Sequence, residues 1–384
     1  MPTTRQGKRR QAPAVSPPAA QILRIGRRLN GWPRRDGQWP RSAATILLIS
    51  LFTAAPGPST RTAAAQSAAR LTEATSAVAP VVDPRAALTP ILKIVRRIAL
   101  PEVVWRGKKE RIHCQGLYVT DDSFYVTGRW EGTPRRPLLL RVSRRQPSVY
   151  EVIDLREQLP DAERQQVAEG LDHPGGFDYA APGEFWIPVA RSDARGPSVI
   201  LRVGVDRQPE SGRPQPLAEG NVAIVMTVDD HIGALCHEPA TGRWYGANWD
   251  TLLVYEWQSD GRLVARIPRD EFVQGLPDWR LAIQDWKAVG DGTLFDSPFL
   301  ILAGGLDKSP DVAAGELAVI ELLAPLHRTR LARLVLPAEP GATRPLTNEG
   351  LAVHNRHLYL LPDDIGAGAE VWQLSLQLAG PAGD

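Results

Sequence analysis

The sequence predicts an all-β chain folded as a five-bladed β-propeller, with a six-bladed ring as the alternative. Three observations lead there. A strand-opening motif recurs around Gly116, Gly176, Gly233, Asp285 and Gly350, at gaps of 60, 57, 52 and 65 residues. Each opener is followed by further short runs of β-branched and aromatic residues bounded by turn chemistry. The fifth copy lacks its fourth run, while an unassigned run, "RIALPEVVW" at 97–105, stands upstream of the first. Four-strand units at this spacing are the signature of propeller blades. An N-terminal strand that completes the last blade would close the ring and remove two sheet edges.

Composition agrees. The chain holds 34 prolines, 33 glycines and 11 tryptophans against two methionines, which suits many turns and short strands. Hydrophobic residues make up 43%, enough for a large core. Residues 1–65 read as a signal or leader segment. An apolar run at 44–55 has the length of a signal h-region, arginines precede it, and "TAAAQ" at 62–66 offers a small-residue cleavage site. The expectation is a secreted or periplasmic protein with no stable membrane span once the leader is removed. Residues 66–92, rich in Ala, Thr and Pro, read as a flexible linker, 93–378 as the propeller and 379–384 as a tail.

The net charge of +2 belongs to the leader, which carries 11 Lys/Arg and one acid; the remaining 34 bases and 42 acids leave a net of −8. No basic patch for nucleic acid remains. The expected partner is a small-molecule substrate or ligand, bound by a monomer. Two cysteines, Cys114 and Cys236, cannot form a disulfide framework and read as small buried hydrophobes.

In blade order, the second runs fall at 123–130, 184–191, 243–249, 299–305 and 357–364. The third runs fall at 138–142, 199–203, 252–256, 317–321 and 370–374. The fourth runs, which are weaker, fall at 150–155, 215–221, 262–268 and 330–337. A sixth blade would have to hide in an irregular stretch such as 156–172 or 269–282.

The openers align at a small residue: "HCQG" from His113, "HPGG" from His173, "HIGA" from His231, "AIQD" from Ala282 and "TNEG" from Thr347. Converging inner strands leave little room at the axis, which explains the small residues. It does not explain the histidines. Residues equivalent by repeat point in equivalent directions, so His113, His173 and His231 should face one axial site. Gln115, Gln284 and Glu349 share a position two residues on, which strand alternation returns to the same side. Three imidazoles and a carboxylate suit Zn²⁺ or a similar divalent metal, with Ca²⁺ disfavoured; protonated, the same set suits a phosphate or carboxylate. A water-filled polar channel and a misaligned repeat are the plainer explanations. The ends of the second strands should share this mouth, and Arg129, Arg191, Asn248, Lys308 and Asp363 would form a substrate rim there. No Gly-x-Ser-x-Gly elbow, phosphate loop or CxxC pair occurs.

"NEGLAV" at 348–353 resembles the Glu-Gly-Leu openers of esterase-like phytases. The run at 231–249 and the pieces "GGLDK" and "LPDDIG" resemble calcium-activated apyrases, which are five-bladed nucleotide hydrolases. The whole resembles an uncharacterised secreted bacterial propeller family known only as a domain of unknown function. The resemblance implies an axial site for a hydrolase. Apyrase-like propellers line that axis with acidic residues suited to Ca²⁺, whereas only Glu349 and Asp285 keep that character here, which points to a softer metal or none. Two expectations follow. One is an exported hydrolase of an ester or phosphoester, with Glu349 as ligand or general base and the three histidines as ligands. The other is a non-catalytic propeller that binds a small molecule or a protein partner.

Overall fold

The computed structural model describes residues 89–379, except 168–169, 181–182, 194–195, 206–220, 290–298, 309–316 and 337–344. The leader and most of the expected linker lie outside the described residues. Five antiparallel sheets make the five blades. From the axis outward, the first blade runs Ile112–Val119, Ser123–Trp130, Arg136–Ser143 and Tyr150–Asp154. The third runs Ile232–Glu238, Arg243–Asn248, Leu253–Trp257 and Leu263–Pro268, and the fourth Leu281–Ala288, Ile301–Asp307, Leu317–Ala324 and Thr329–Val335.

In the second blade the inner strand is broken into Leu171–Pro174 and Asp178–Tyr179, followed by Glu184–Arg191, Ser198–Gly204 and Val222–Val228. Val222–Val228, "VAIVMTV", forms the described edge, and most of the expected fourth run at 215–221 lies outside the described residues.

The last blade runs Gly350–His354, His357–Leu361 and Glu370–Ala379, and its outer strand is Thr89–Ala99 from the N-terminal side. Ring closure is thus as expected in kind but not in position. The closing strand starts inside the expected linker and ends before residue 105. Pro101 has no N–H to give a ladder, and beyond it Val104–Trp105 pairs with Lys108–Lys109 in a separate small hairpin. The two stretches considered for a sixth blade instead hold the short helices Asp161–Gln166 and Arg269–Phe272.

Alternation along the strands builds the core. Leu138, Leu140 and Val142 face the fifth blade, while Leu139 between them faces the second. Five buried clusters result, one between each pair of neighbouring blades, including the fifth and the first. Trp186 and Trp244 stack across the seam between the second and third blades, with centroids 4.5 Å apart and planes 6° from parallel. Cys114 and Cys236 are fully buried in different clusters. Among the described residues no helix is long and apolar enough to cross a membrane.

At the axis the inner strands touch. A Cβ on Gly116 would meet Gly176 Cα at 2.9 Å, and one on Gly176 would meet Asp285 Oδ1 at 2.7 Å. One on Gly350 would meet Leu117 Cβ at 2.7 Å. Glycine stands at these positions because backbones from four blades converge there. Asp285 is fully buried at this level, and its Oδ2 accepts the N–H groups of Leu117 and Leu351 at 3.0 Å each.

Candidate functional site

Above this glycine level the inner strands of three blades share one local device. The register of the inner pair shifts between Cys114 and Gly116, between Ile232 and Ala234, and between Ile283 and Asp285. The extra residue is Gln115, Gly233 or Gln284, the same repeat position each time. A bulge turns the strand so that successive side chains aim to one side. The ladder also pairs each opener with the end of its second strand, His113 with Arg129 and Ile232 with Asn248.

The three opener histidines form one row. Their ring centroids lie 5.5 Å apart for His113 and His173 and 5.9 Å for His173 and His231. Trp249 extends the row, its centroid 4.8 Å from that of His231. The Nδ1 atoms have unlike partners. His113 Nδ1 lies 2.9 Å from Asp364 Oδ1, which also accepts the Cys114 N–H at 3.2 Å. A carboxylate only accepts, so His113 carries its proton on Nδ1 and offers the Nε2 lone pair. His173 Nδ1 lies 3.2 Å from Arg129 Nη1. A guanidinium only donates, so His173 carries its proton on Nε2. His231 Nδ1 lies 2.9 Å from the backbone oxygen of Asp193, which again leaves an Nε2 lone pair. The row therefore reads acceptor, donor, acceptor.

Electrostatics hold this pattern. Burial first, then the neighbouring His113 and Arg129, push His173 well below the ordinary histidine range. Burial also lowers His231. The Arg129 guanidinium is fixed by Ser192 Oγ at 2.7 Å and by Glu131 Oε1 at 2.6 and 2.9 Å. Ser192 in turn donates to Asp172.

The Gln115 amide nitrogen lies 3.0 Å from both His113 Nε2 and Glu349 Oε2, and Glu349 also accepts from Asn348. Gln115 and Glu349 are buried. His113, Glu349 and Asp364 each offer a ligand atom, and these atoms lie within 4.8 Å of one another.

A centre built on all three histidines does not fit this arrangement. The Nε2 of His173 carries a proton, and the Arg129 cation behind the ring opposes a second cation. The other expected residues divide. Arg129 joins the row. Asn248 is committed to its turn: its amide donates to Asp230 at 2.8 Å, and its oxygen accepts the Leu253 N–H at 2.8 Å. Lys308 pairs with Asp250, and Arg191 lies 3.4 Å from Asp193 on the surface. Gln284 is the half-buried bulge residue of the fourth blade, and half-buried Asp363 precedes Asp364. The residue that repeat alignment underrated is Asp364, which lies on the turn after a second strand and is bound to His113. Its signal was "PDD" at the end of that run. Ser192 and Asp172 carried no motif at all.

No family model matches the chain, and no curated protein matches it. Solved structures resemble the chain at low identity and low TM-score. Regucalcin, a calcium-binding protein from Agrobacterium tumefaciens, is 11% identical, with 75% of this chain and 96% of that chain covered and a TM-score of 0.41. A luciferin-regenerating enzyme is 12% identical, with 72% and 81% covered and a TM-score of 0.41. An engineered glycoside hydrolase is 9% identical, with 71% and 53% covered and a TM-score of 0.44. Likeness at this level carries nothing about activity, since propellers host many chemistries.

Proposed function

We propose that the mouth of the propeller is the active site of an exported hydrolase acting on a small ester or phosphoester. One observation carries the reading: adjacent imidazoles, His113 and His173, have opposite partners on Nδ1 and so present a lone pair beside an N–H. His113, oriented by Asp364, is the general base: water displaces the Gln115 amide that lies on its Nε2 and gives up a proton there. Such dyads contribute about 10²- to 10⁴-fold. The His173 Nε2–H, polarised by Arg129 behind it, faces the oxygen on which charge develops. Protonated His113 then returns that proton to the leaving oxygen as its ester bond breaks, and the His231 lone pair accepts from a substrate hydroxyl.

A divalent ion is the second reading, favoured by the position of the Gln115 amide. Its N–H groups sit where a shared cation would be drawn, between the lone pairs of His113 and Glu349. His113 Nε2 and Glu349 would hold it, with Asp364 orienting the ring from Nδ1, and a nitrogen-plus-oxygen set suits Zn²⁺ or a similar ion better than Ca²⁺. Such an ion polarises a bound oxygen and lowers the pKa of water.

The test is turnover of p-nitrophenyl acetate and p-nitrophenyl phosphate by the full chain, with and without chelator. In the first reading kcat survives chelation and falls about 10²- to 10⁴-fold in Asp364→Asn, which disturbs the tautomer of His113. Loss of activity on chelation, restored by Zn²⁺, moves the assignment to the second. A wild-type chain inert toward both compounds overturns both.

A further inference from the structure

Trp249 is a half-exposed indole, 38% accessible, at the end of the imidazole row. A single exposed tryptophan is ordinary on a protein surface. The turn that presents this one is not. Asp250 and Thr251, directly after it, have φ of 57° and 51°, in the left-handed region that β-branched residues avoid. Strain of this kind persists only where its surroundings over-determine it. Here they do. Thr251 is fully buried and its hydroxyl accepts the Ile283 N–H at 2.9 Å. Asn248 ties the turn to Leu253 and Asp230, and the Tyr255 hydroxyl donates to the same Asp230 oxygen at 2.7 Å. The backbone N–H of Trp249 donates to the His231 carbonyl at 3.0 Å. Lys308 from the fourth blade pairs with Asp250. An apolar side chain left in water has no stabilising need of so much support, whereas a recognition surface does.

We infer that Trp249 is the stacking platform of the site and that the substrate it takes carries a hydroxyl-rich ring, a pyranose. A sugar ring has an apolar C–H face and a polar rim. The indole covers the face. Donors and acceptors for the rim stand along the row and the turn: the His231 lone pair next to the indole, the His173 N–H one ring further, and the Lys308–Asp250 pair on the adjoining residue. A flat aromatic ligand would use the face and leave those groups unmatched, at a cost in affinity.

The assignment rests on the proposed reading of the mouth for its reaction, but its binding test does not. Titration calorimetry of the full chain with a panel of methyl pyranosides should show saturable binding by at least one. Trp249→Ala should weaken it about tenfold or more, and Trp249→Phe should retain it within a few-fold, with both variants melting as the wild type does. If the chain is a hydrolase, Trp249→Ala on the matching sugar ester raises KM with little change in kcat, whereas His113→Ala lowers kcat and leaves pyranoside binding intact. Absence of pyranoside binding by the wild type, binding unaltered in Trp249→Ala, or binding of benzyl alcohol in place of every pyranoside overturns the inference. Pyranoside binding without any hydrolysis overturns the enzymatic reading alone.

Discussion

Asp285, in the fourth blade, accepts the backbone N–H of Leu117 in the first, a blade that is not its neighbour. With Leu351 in the fifth, one carboxylate joins three blades where their inner strands converge. Lys287 also donates to it. Buried charges persist only when paired and hydrogen-bonded in this way.

The pH dependence of that carboxylate has a definite sign. Burial raises Asp285 to about 6, against the lowering effect of Lys287 and the two amides. The folded chain then binds a proton that the unfolded chain has released, so this group's contribution is full below about pH 4 and is lost as pH rises to about 6. The loss amounts to about 3 kcal/mol. Urea denaturation across that range should show wild-type stability falling relative to Asp285→Asn, which lacks the titration. A parallel pH dependence in the two proteins would contradict the assignment.

The glycine level gives a paired experiment. Gly176→Ala brings a Cβ to 2.7 Å from Asp285 Oδ1 and 2.8 Å from the Gln284 oxygen, and should cost about 1–3 kcal/mol or more. Gly233→Ala, one residue before the equivalent position, finds its nearest neighbour at 3.9 Å and should be within about 0.5 kcal/mol of wild type. Thermal melts of the two variants side by side check this.

After burial and His113, Arg129 helps hold His173 below the ordinary histidine range. Arg129→Met removes both the donor on Nδ1 and the adjacent positive charge, so the His173 pKa should move up toward the ordinary histidine value in an NMR titration of the ring protons. In the wild type the depressed value means that His173 contributes stability above the unfolded pKa and loses it as pH falls. The variant should therefore resist mild acid better, relative to its own stability at neutral pH. An unchanged titration would show that burial alone sets the state of this ring.

The fold was legible because its signals are periodic. The run "SFYVTGRW" spans Ser123–Trp130 in the structure, and "EFWIPVAR" spans Glu184–Arg191. The histidine row was legible for the same reason, since equivalent repeat positions converge on one axis. The weaker parts were non-periodic. The closing strand Thr89–Ala99 belongs to no local repeat, and its partner, Glu370–Ala379, lies at the far end of the chain. The bulges escaped notice because strand alternation already placed His113 and Gln115 on one side. The roles of the histidines depend on what touches Nδ1, and neither Asp364 nor Arg129 is close to its histidine in sequence.

Closure of the ring can be tested by truncation. A chain that begins at residue 88 keeps every described strand and should unfold in one cooperative transition. A chain that begins at residue 100 lacks the outer strand of the last blade and exposes the edge of Glu370–Ala379. It should aggregate or unfold at a markedly lower temperature. Equal melting behaviour in the two would mean that the strand is dispensable.

The pairing of Thr89 with Ala379 places the beginning and the end of the folded body on adjacent strands, about 5 Å apart. The described propeller, residues 89–379, is therefore nearly circular already. A few residues would splice its ends, and new termini opened at a turn between other blades would leave every blade whole. Such permuted molecules would each have all four strands of the last blade contiguous in the chain, so the seam of the ring could be moved from one blade boundary to the next.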